Sequence, residues 1–495
     1  MRRAGVLLHP TALPGSPVCG TFGATAHRWL DLLADHGIKA WQLLPLAPPD
    51  SLGSPYSSPS SFALNGWLLD ADQLVADGLL ERADLEALPG DADPGRLNPD
   101  LAERRSESLA ALLLRRYPSW SATLQQRFEA WRQQQRCWLV DHCRFWVLRQ
   151  RHNGQPWWQW PAPLARRQRS ALRALDAEAK DLLLQEALLQ WQLQQQWQSL
   201  LDHARRRSVQ VIGDVPFYVA HDSADVWSHR HLFSAAADGS LSQQSGVPPD
   251  YFSATGQLWG TPVYRWPLHH LTRFRWWLRR LERQLNLVDL LRLDHFRALE
   301  AAWCVPGGDR TAEHGCWRPS PGHSLLRKLR RHYKGQSLPL IAEDLGVITP
   351  GVEALRDQYQ LPGMKILQFA FDGNPDNPYL PANYTGSNWC VYTGTHDNGT
   401  CIGWWQQLSG EQRHQVEQLL GPVHSPGWQL LELALASQAD WAVVPLQDLL
   451  QLGDEARFNT PGTDRGNWQW RLSGGLDAIA GPLKGLGEMA HRYQR

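Results

Sequence analysis

The chain has 495 residues, enough for one decorated (β/α)8 barrel or for about three ordinary domains of ~100–200 residues each. Its 49 Lys and Arg balance its 49 Asp and Glu, so no long-range field steers nucleic acid or an anionic membrane surface toward it, and a neutral partner is expected. No segment holds the ~18 uninterrupted apolar residues of a membrane span. The apolar stretch after Arg2 and Arg3 is too short for a signal core, and the seven scattered cysteines form no C-x-x-C pair. That pattern speaks against a disulfide framework or zinc knuckle and for a cytoplasmic protein with reduced thiols.

Taken in chain order, eight apolar runs read as strands, at 5–9, 41–46, 209–216, 288–296, 338–345, 364–371, 389–397 and 441–449. Amphipathic helical patterns stand between several of them, at 26–37, 272–287, 351–359, 411–420 and 429–437. This alternation predicts an α/β fold, a (β/α)8 TIM barrel spanning 1–495 as one catalytic unit. About 160 residues separate the second and third strands, far more than a simple crossover requires, so 51–208 is expected to be an inserted, largely helical subdomain region. Within it, 101–150 and 176–207 read as long helices with Arg-, Gln- and Glu-rich outer faces, after a Ser-, Gly- and Pro-rich loop at 48–61. Of the 26 tryptophans, nine lie between Trp120 and Trp197 at helical spacing. Indole faces suit sugar rings, but these nine are expected mostly to pack.

Three acidic segments end apolar runs: Arg292-Leu293-Asp294-His295, Ala342-Glu343-Asp344 and Thr395-His396-Asp397-Asn398. In a parallel barrel the catalytic groups sit where strands give way to loops. Arg292 and Asp294 are two apart and share one face of a strand, so the guanidinium is expected to lower the Asp294 pKa and keep it ionised for nucleophilic attack. A structural ion pair would look the same in sequence; the strand-end position favours chemistry. Glu343 leaves an apolar wall, where desolvation keeps an acid protonated for donation to a leaving oxygen. Asp344 points the other way and is expected to pair locally. Asp397 is suited to hold sugar hydroxyls and stabilise positive charge, against the alternative of an Asx turn over 397–399.

His295 and His396 lack any metal-ligand spacing and read as hydrogen-bond donors. Asp214 at the end of the third strand and Tyr56 read as sugar contacts. So do Tyr251 in the stretch 246–252 and Gln257 and Trp259 between two glycines, and 246–265 reads as a mobile lid loop with an indole at its tip.

These stretches resemble glycoside hydrolase family 77, the 4-α-glucanotransferases. The likeness runs from Leu7-Leu8-His9-Pro10 and Trp41-Gln42-Leu43-Leu44-Pro45 to Asn459-Thr460-Pro461-Gly462 and Gly466-Asn467-Trp468. It implies a (β/α)8 barrel with inserted subdomains, acting on α-1,4-glucans without a metal or organic cofactor. It also implies Asp294 as nucleophile, Glu343 as acid/base and Asp397 as transition-state stabiliser. Around the sugar at the cleavage point it puts Arg292, His396 and Asp214, with Tyr56, Tyr251, Gln257, Trp259, Asn459 and Pro461 in neighbouring subsites. The chain departs from the usual pattern at Ser57, Thr261 and Arg265, which leaves donor and acceptor length preference open. An α-amylase-like hydrolase with the same acids, and a glucan-binding protein without catalysis, remain as alternatives.

Overall fold

The apolar runs become strands because each is short, rich in branched or aromatic residues and closed by a polar or glycine turn. In the computed structural model, which describes residues 2–90, 93–249, 253–463 and 465–495, there are twelve. They are β1 (Arg3–Leu7), β2 (Ala40–Gln42), β3 (Gln210–Val215), β4 (Gln243–Val247), β5 (Gln257–Pro262) and β6 (Leu290–Leu293), then β7 (Ala301–Pro306), β8 (Cys316–Pro319), β9 (Leu340–Ala342), β10 (Gly363–Ile366), β11 (Trp389–Tyr392) and β12 (Trp441–Pro445). Eight of them, in the order β10-β11-β12-β1-β2-β3-β6-β9, make a parallel sheet, and the Ala342 N–H donates to the Pro362 carbonyl at 2.8 Å across the remaining seam. All eight anticipated strands are present in this barrel.

Inside the barrel Leu7, Ala40, Ile212, Ile341, Met364, Ile366, Tyr392 and Val443 form one apolar cluster. Outside it, helices pack by period. In the helix Arg275–Leu285, Trp276, Trp277, Arg280, Leu281 and Gln284 are buried, while Arg275 and Arg279, one turn apart, face outward. The spacing i, i+4 puts both guanidinium groups on the same stripe.

The stretch 101–150 departs from the expected long helix and is three helices, Pro99–Arg116, Ala122–Gln134 and Arg136–Arg151. Pro118 sits in the short turn that ends the first, and proline cannot donate to a continuing helix; Ser121 then caps the second. Similarly, 176–207 breaks at Ala179, before the helix Lys180–Arg206. Trp120, Trp157, Trp160, Trp191 and Trp197 are all buried in this region, so their role is packing.

A second sheet, β5-β4-β7-β8, is antiparallel. It qualifies the reading of 246–265: residues 246–247 and 257–262 are strand, with Leu258 paired to Gly246 and Gln257 to Val247. Gly246 permits this, since a Cβ there would lie 2.3 Å from the Gln257 carbonyl oxygen. Among the described residues no helix is long and apolar enough to cross a membrane.

Candidate active site

Strand register builds the site. Asp214 on β3 pairs with Arg292 on β6, and residues in register on parallel neighbours point to the same side. Arg292 therefore meets Asp214, with Nη1 2.7 Å from Oδ2, and through Nη2 reaches Asp294 Oδ1 at 2.9 Å. Its Nε donates to Met364 Sδ at 3.4 Å, and the Tyr56 hydroxyl donates to Asp214 Oδ2 at 2.6 Å. The Arg292 and Asp214 side chains are only 5% and 1% exposed, against 29% for Asp294, so this pair is a buried floor and Asp294 opens upward from it. Burial opposes the Arg292 charge, but Asp214 and Asp294 more than offset it and hold the guanidinium protonated.

Leu293 pairs with Ala342, so Asp294 and Glu343 leave adjacent strands at the same level. The chain turns at His295, a non-glycine residue in the left-handed region at φ 51°, a conformation that costs about 1–2 kcal/mol. That turn aims the His295 N–H at Glu343 Oε2, 2.6 Å away. Burial pushes Glu343 up to about 8, against Arg292 and with help from the Asp294 charge. Burial also raises Asp294, to about 6, with Arg292 opposing. Arg292 lowers the Asp294 pKa as expected, but desolvation outweighs the ion pair and the net shift is upward. At neutral pH the site still offers a charged Asp294 beside a protonated Glu343. Asp344, on the opposite side, accepts from the Met364 N–H at 2.7 Å and from Arg356 at 2.5 Å, a buried local pairing as anticipated.

Asp397 lies five residues beyond β11, at the same end of the barrel. The turn there is made by Asn398, whose Oδ1 accepts from Thr395 N and Oγ1 at 2.9 and 2.8 Å, and not by the Asp397 carboxylate. That carboxylate instead accepts from Asn459 Nδ2 at 2.6 Å and lies 3.3 Å from His396 Nε2. Arg457 donates to the Asp397 carbonyl at 2.6 Å. The His396 ring stacks on Tyr56 at 5.0 Å and 10°, and Trp468 lies 5.7 Å from Tyr56 and 5.9 Å from His396. Burial lowers the His396 pKa, with Asp397 opposing. His295 falls to about 4 through burial and Arg297. Both rings are neutral near pH 7.

On β5, Trp259 stands 37% exposed with its ring edge-on to His295 at 4.8 Å and 87°, and its N–H donates to Gln257 Oε1 at 3.2 Å. Pro461 is exposed in the turn after Thr460, two residues past Asn459. Tyr251 lies outside the described residues. Arg457, Trp468 and Met364 belong to the site without having been singled out in sequence. Trp468 falls in a stretch that carries the family resemblance, yet nothing local separates it from Trp470 nearby, which packs against the core; Arg457 and Met364 carry no local signal.

Comparison with known proteins gives the family of the chain. Residues 8–477 match glycoside hydrolase family 77, described as 4-alpha-glucanotransferase. The chain is 43% identical over 474 residues to the 4-alpha-glucanotransferase of Synechocystis, covering 95% of this chain and 94% of that one. It is 41% identical over 483 residues to that of Thermus thermophilus, covering 95% of each. An amylomaltase from Streptococcus agalactiae, solved in complex with acarbose, superposes with a TM-score of 0.95 at 31% identity over the whole of both chains. With the barrel, the family match and these relatives in agreement, the chain belongs to the 4-alpha-glucanotransferases of glycoside hydrolase family 77.

Proposed function

We propose that Asp294 is the nucleophile, Glu343 the general acid/base and Asp397 the stabiliser of the transition state in a retaining double displacement on α-1,4-glucans. One observation carries this reading: Asp294 and Glu343 project at the same level from adjacent strands, with burial keeping Glu343 the more protonated. Neighbouring parallel strands are ~4.8 Å apart, close to the ~5–5.5 Å separation of carboxyl groups in retaining enzymes and short of the ~6.5–9.5 Å of inverting ones.

In the first step an Asp294 oxygen bonds to the anomeric carbon while the bond to the leaving 4-oxygen breaks and takes the Glu343 proton. In the second, ionised Glu343 removes the proton of an acceptor 4-hydroxyl, which attacks the same carbon and releases Asp294, with net retention. Arg292 orients Asp294 and accommodates its changing charge. Asn459 and His396 hold the Asp397 carboxylate near the oxocarbenium-like centre.

Asp214, Tyr56, Gln257, Trp259, Tyr251 and Pro461 are assigned to sugar contacts. The segment 246–265 is the lid whose closure favours a sugar acceptor over water, and 51–208 is the inserted subdomain region. Maltooligosaccharides and fragments of starch or glycogen are the donors and acceptors. Seven free thiols suit a reducing cytoplasm.

Incubation with maltotriose alone tests the reading. Glucose plus a ladder of longer maltodextrins at constant reducing ends is expected, and Asp294→Asn and Glu343→Gln should each remove nearly all of it with the fold intact. Rising reducing ends without longer products, or normal turnover by Asp294→Asn, would overturn it.

A further inference from the structure

A cavity of about 230 Å³ lies outside the barrel, between the helices Arg136–Arg151, Ala224–His229 and Arg275–Leu285. None of the strand-end acids or their partners lines it, and the two voids nearer the site are only about 20 Å³ each. Trp138 and Trp276 form apolar walls, both largely buried, and the Trp276 indole N–H has no hydrogen-bond partner among the described residues.

Two arginines of this cavity have no carboxylate partner among the described residues. Arg275 and Arg279 line it from one helix stripe, and neither has a side-chain hydrogen bond or ion pair among the described residues; His229 and His231 line the same cavity. Arg230 and Arg265 stand close enough to His231 that, after burial, their charges lower its pKa. The two carboxylates in the wall are already engaged. Asp141 pairs with Arg167 at 2.7 Å, and Asp225 accepts from Ser61 N and Oγ at 2.8 Å each. Two guanidinium groups that no carboxylate holds can take up an anion, and paired guanidinium groups match phosphate oxygens in geometry and charge.

We propose that this cavity binds a phosphorylated glucose unit, its phosphate against Arg275 and Arg279 and its ring against the indoles of Trp138 and Trp276. The volume is below the ~300 Å³ at which pockets for drug-sized ligands begin, so it takes one sugar ring and not a glucan chain or a nucleotide. Disproportionation of a maltotriose releases single glucose units, and phosphoryl transfer to glucose, the class of reaction that consumes that product, yields this ligand.

Cys137, exposed and in the cavity wall, reports on occupancy. Cys316 is exposed as well and the other thiols are buried, so the full chain carrying Cys316→Ser is alkylated with N-ethylmaleimide. Glucose 1-phosphate, glucose 6-phosphate, inorganic phosphate, glucose and maltotriose are each tested as protectants.

At least one of the two phosphate esters is expected to slow Cys137 alkylation fivefold or more, saturably and less at high salt, and the more protective ester identifies the attachment. Protection should vanish in Arg275→Gln/Arg279→Gln while maltotriose disproportionation is unchanged. No protection by either ester would overturn the proposal. Equal protection by inorganic phosphate would overturn the sugar contact, and equal protection by glucose or maltotriose would overturn the role of the arginines.

Discussion

Substitution of Arg292 by Lys keeps the positive charge but removes the ability to span two carboxylates. In the structure one guanidinium nitrogen lies 2.7 Å from Asp214 and another 2.9 Å from Asp294. A single ammonium cannot hold both. Asp214, with its side chain 1% exposed, has no water to fall back on, whereas Asp294 is 29% exposed, so the lysine is expected to stay with Asp214 and leave Asp294. A hydrogen bond to a charged group contributes about 1.5–3 kcal/mol. At ~1.4 kcal/mol per tenfold in rate, its loss lowers kcat/KM roughly 10- to 150-fold. Without its partner Asp294 becomes harder to ionise, so the acid limb of the pH profile moves upward. Glucose release from maltotriose, followed from pH 4 to 9 alongside a thermal melt, reads both effects. A kcat/KM within about threefold of the parent, with an unmoved acid limb, would refute the claim that Arg292 acts by holding Asp294.

Further consequences follow from the same pair of acids. The parent enzyme should show a bell-shaped kcat/KM profile, falling below about 6 as Asp294 takes up a proton and above about 8 as Glu343 loses one; a profile flat from pH 5 to 9 would contradict these assignments. Glu343 also bears on stability. Its pKa rises on folding from 4.5 to about 8, so between those values the native state binds a proton that the unfolded state lacks, and stability falls as pH rises. Glu343→Gln keeps an acceptor for the His295 N–H and has no proton to lose. Its Tm should therefore exceed that of the parent at pH 8 and match it near pH 4, and a lower Tm at pH 8 would show that burial does not strain this carboxyl.

Local patterns decide local structure, and here they went far. Eight apolar runs marked eight barrel strands, and the two-residue spacing of Arg292 and Asp294 already put both on one face, because side-chain alternation is a property of the strand itself. Glu343 and Asp344 were separated into an inward and an outward acid by the same rule. Breaks in the inserted helices were harder to see. Pro118 was visible in the sequence, but the helical period continues on both sides of it and of Ala179, and chain reversal there is fixed by what the helices pack against.

Three features needed the tertiary structure. The Asp397 carboxylate is held by Asn459 and its backbone by Arg457, about sixty residues later in the chain, a proximity that no local pattern encodes. The direction of the Asp294 shift depends on how much protein covers the carboxyl, so a sequence in which Arg292 is plainly nearby still cannot weigh the ion pair against desolvation. The glycine-bracketed Gln257-Leu258-Trp259 reads as loop until β4 supplies the hydrogen-bonding edge that makes it a strand. Sequence by itself determined which residues face together along each strand, since that follows from backbone geometry; only the folded barrel decided which strands meet, what water is excluded, and hence which of the acids carries the proton.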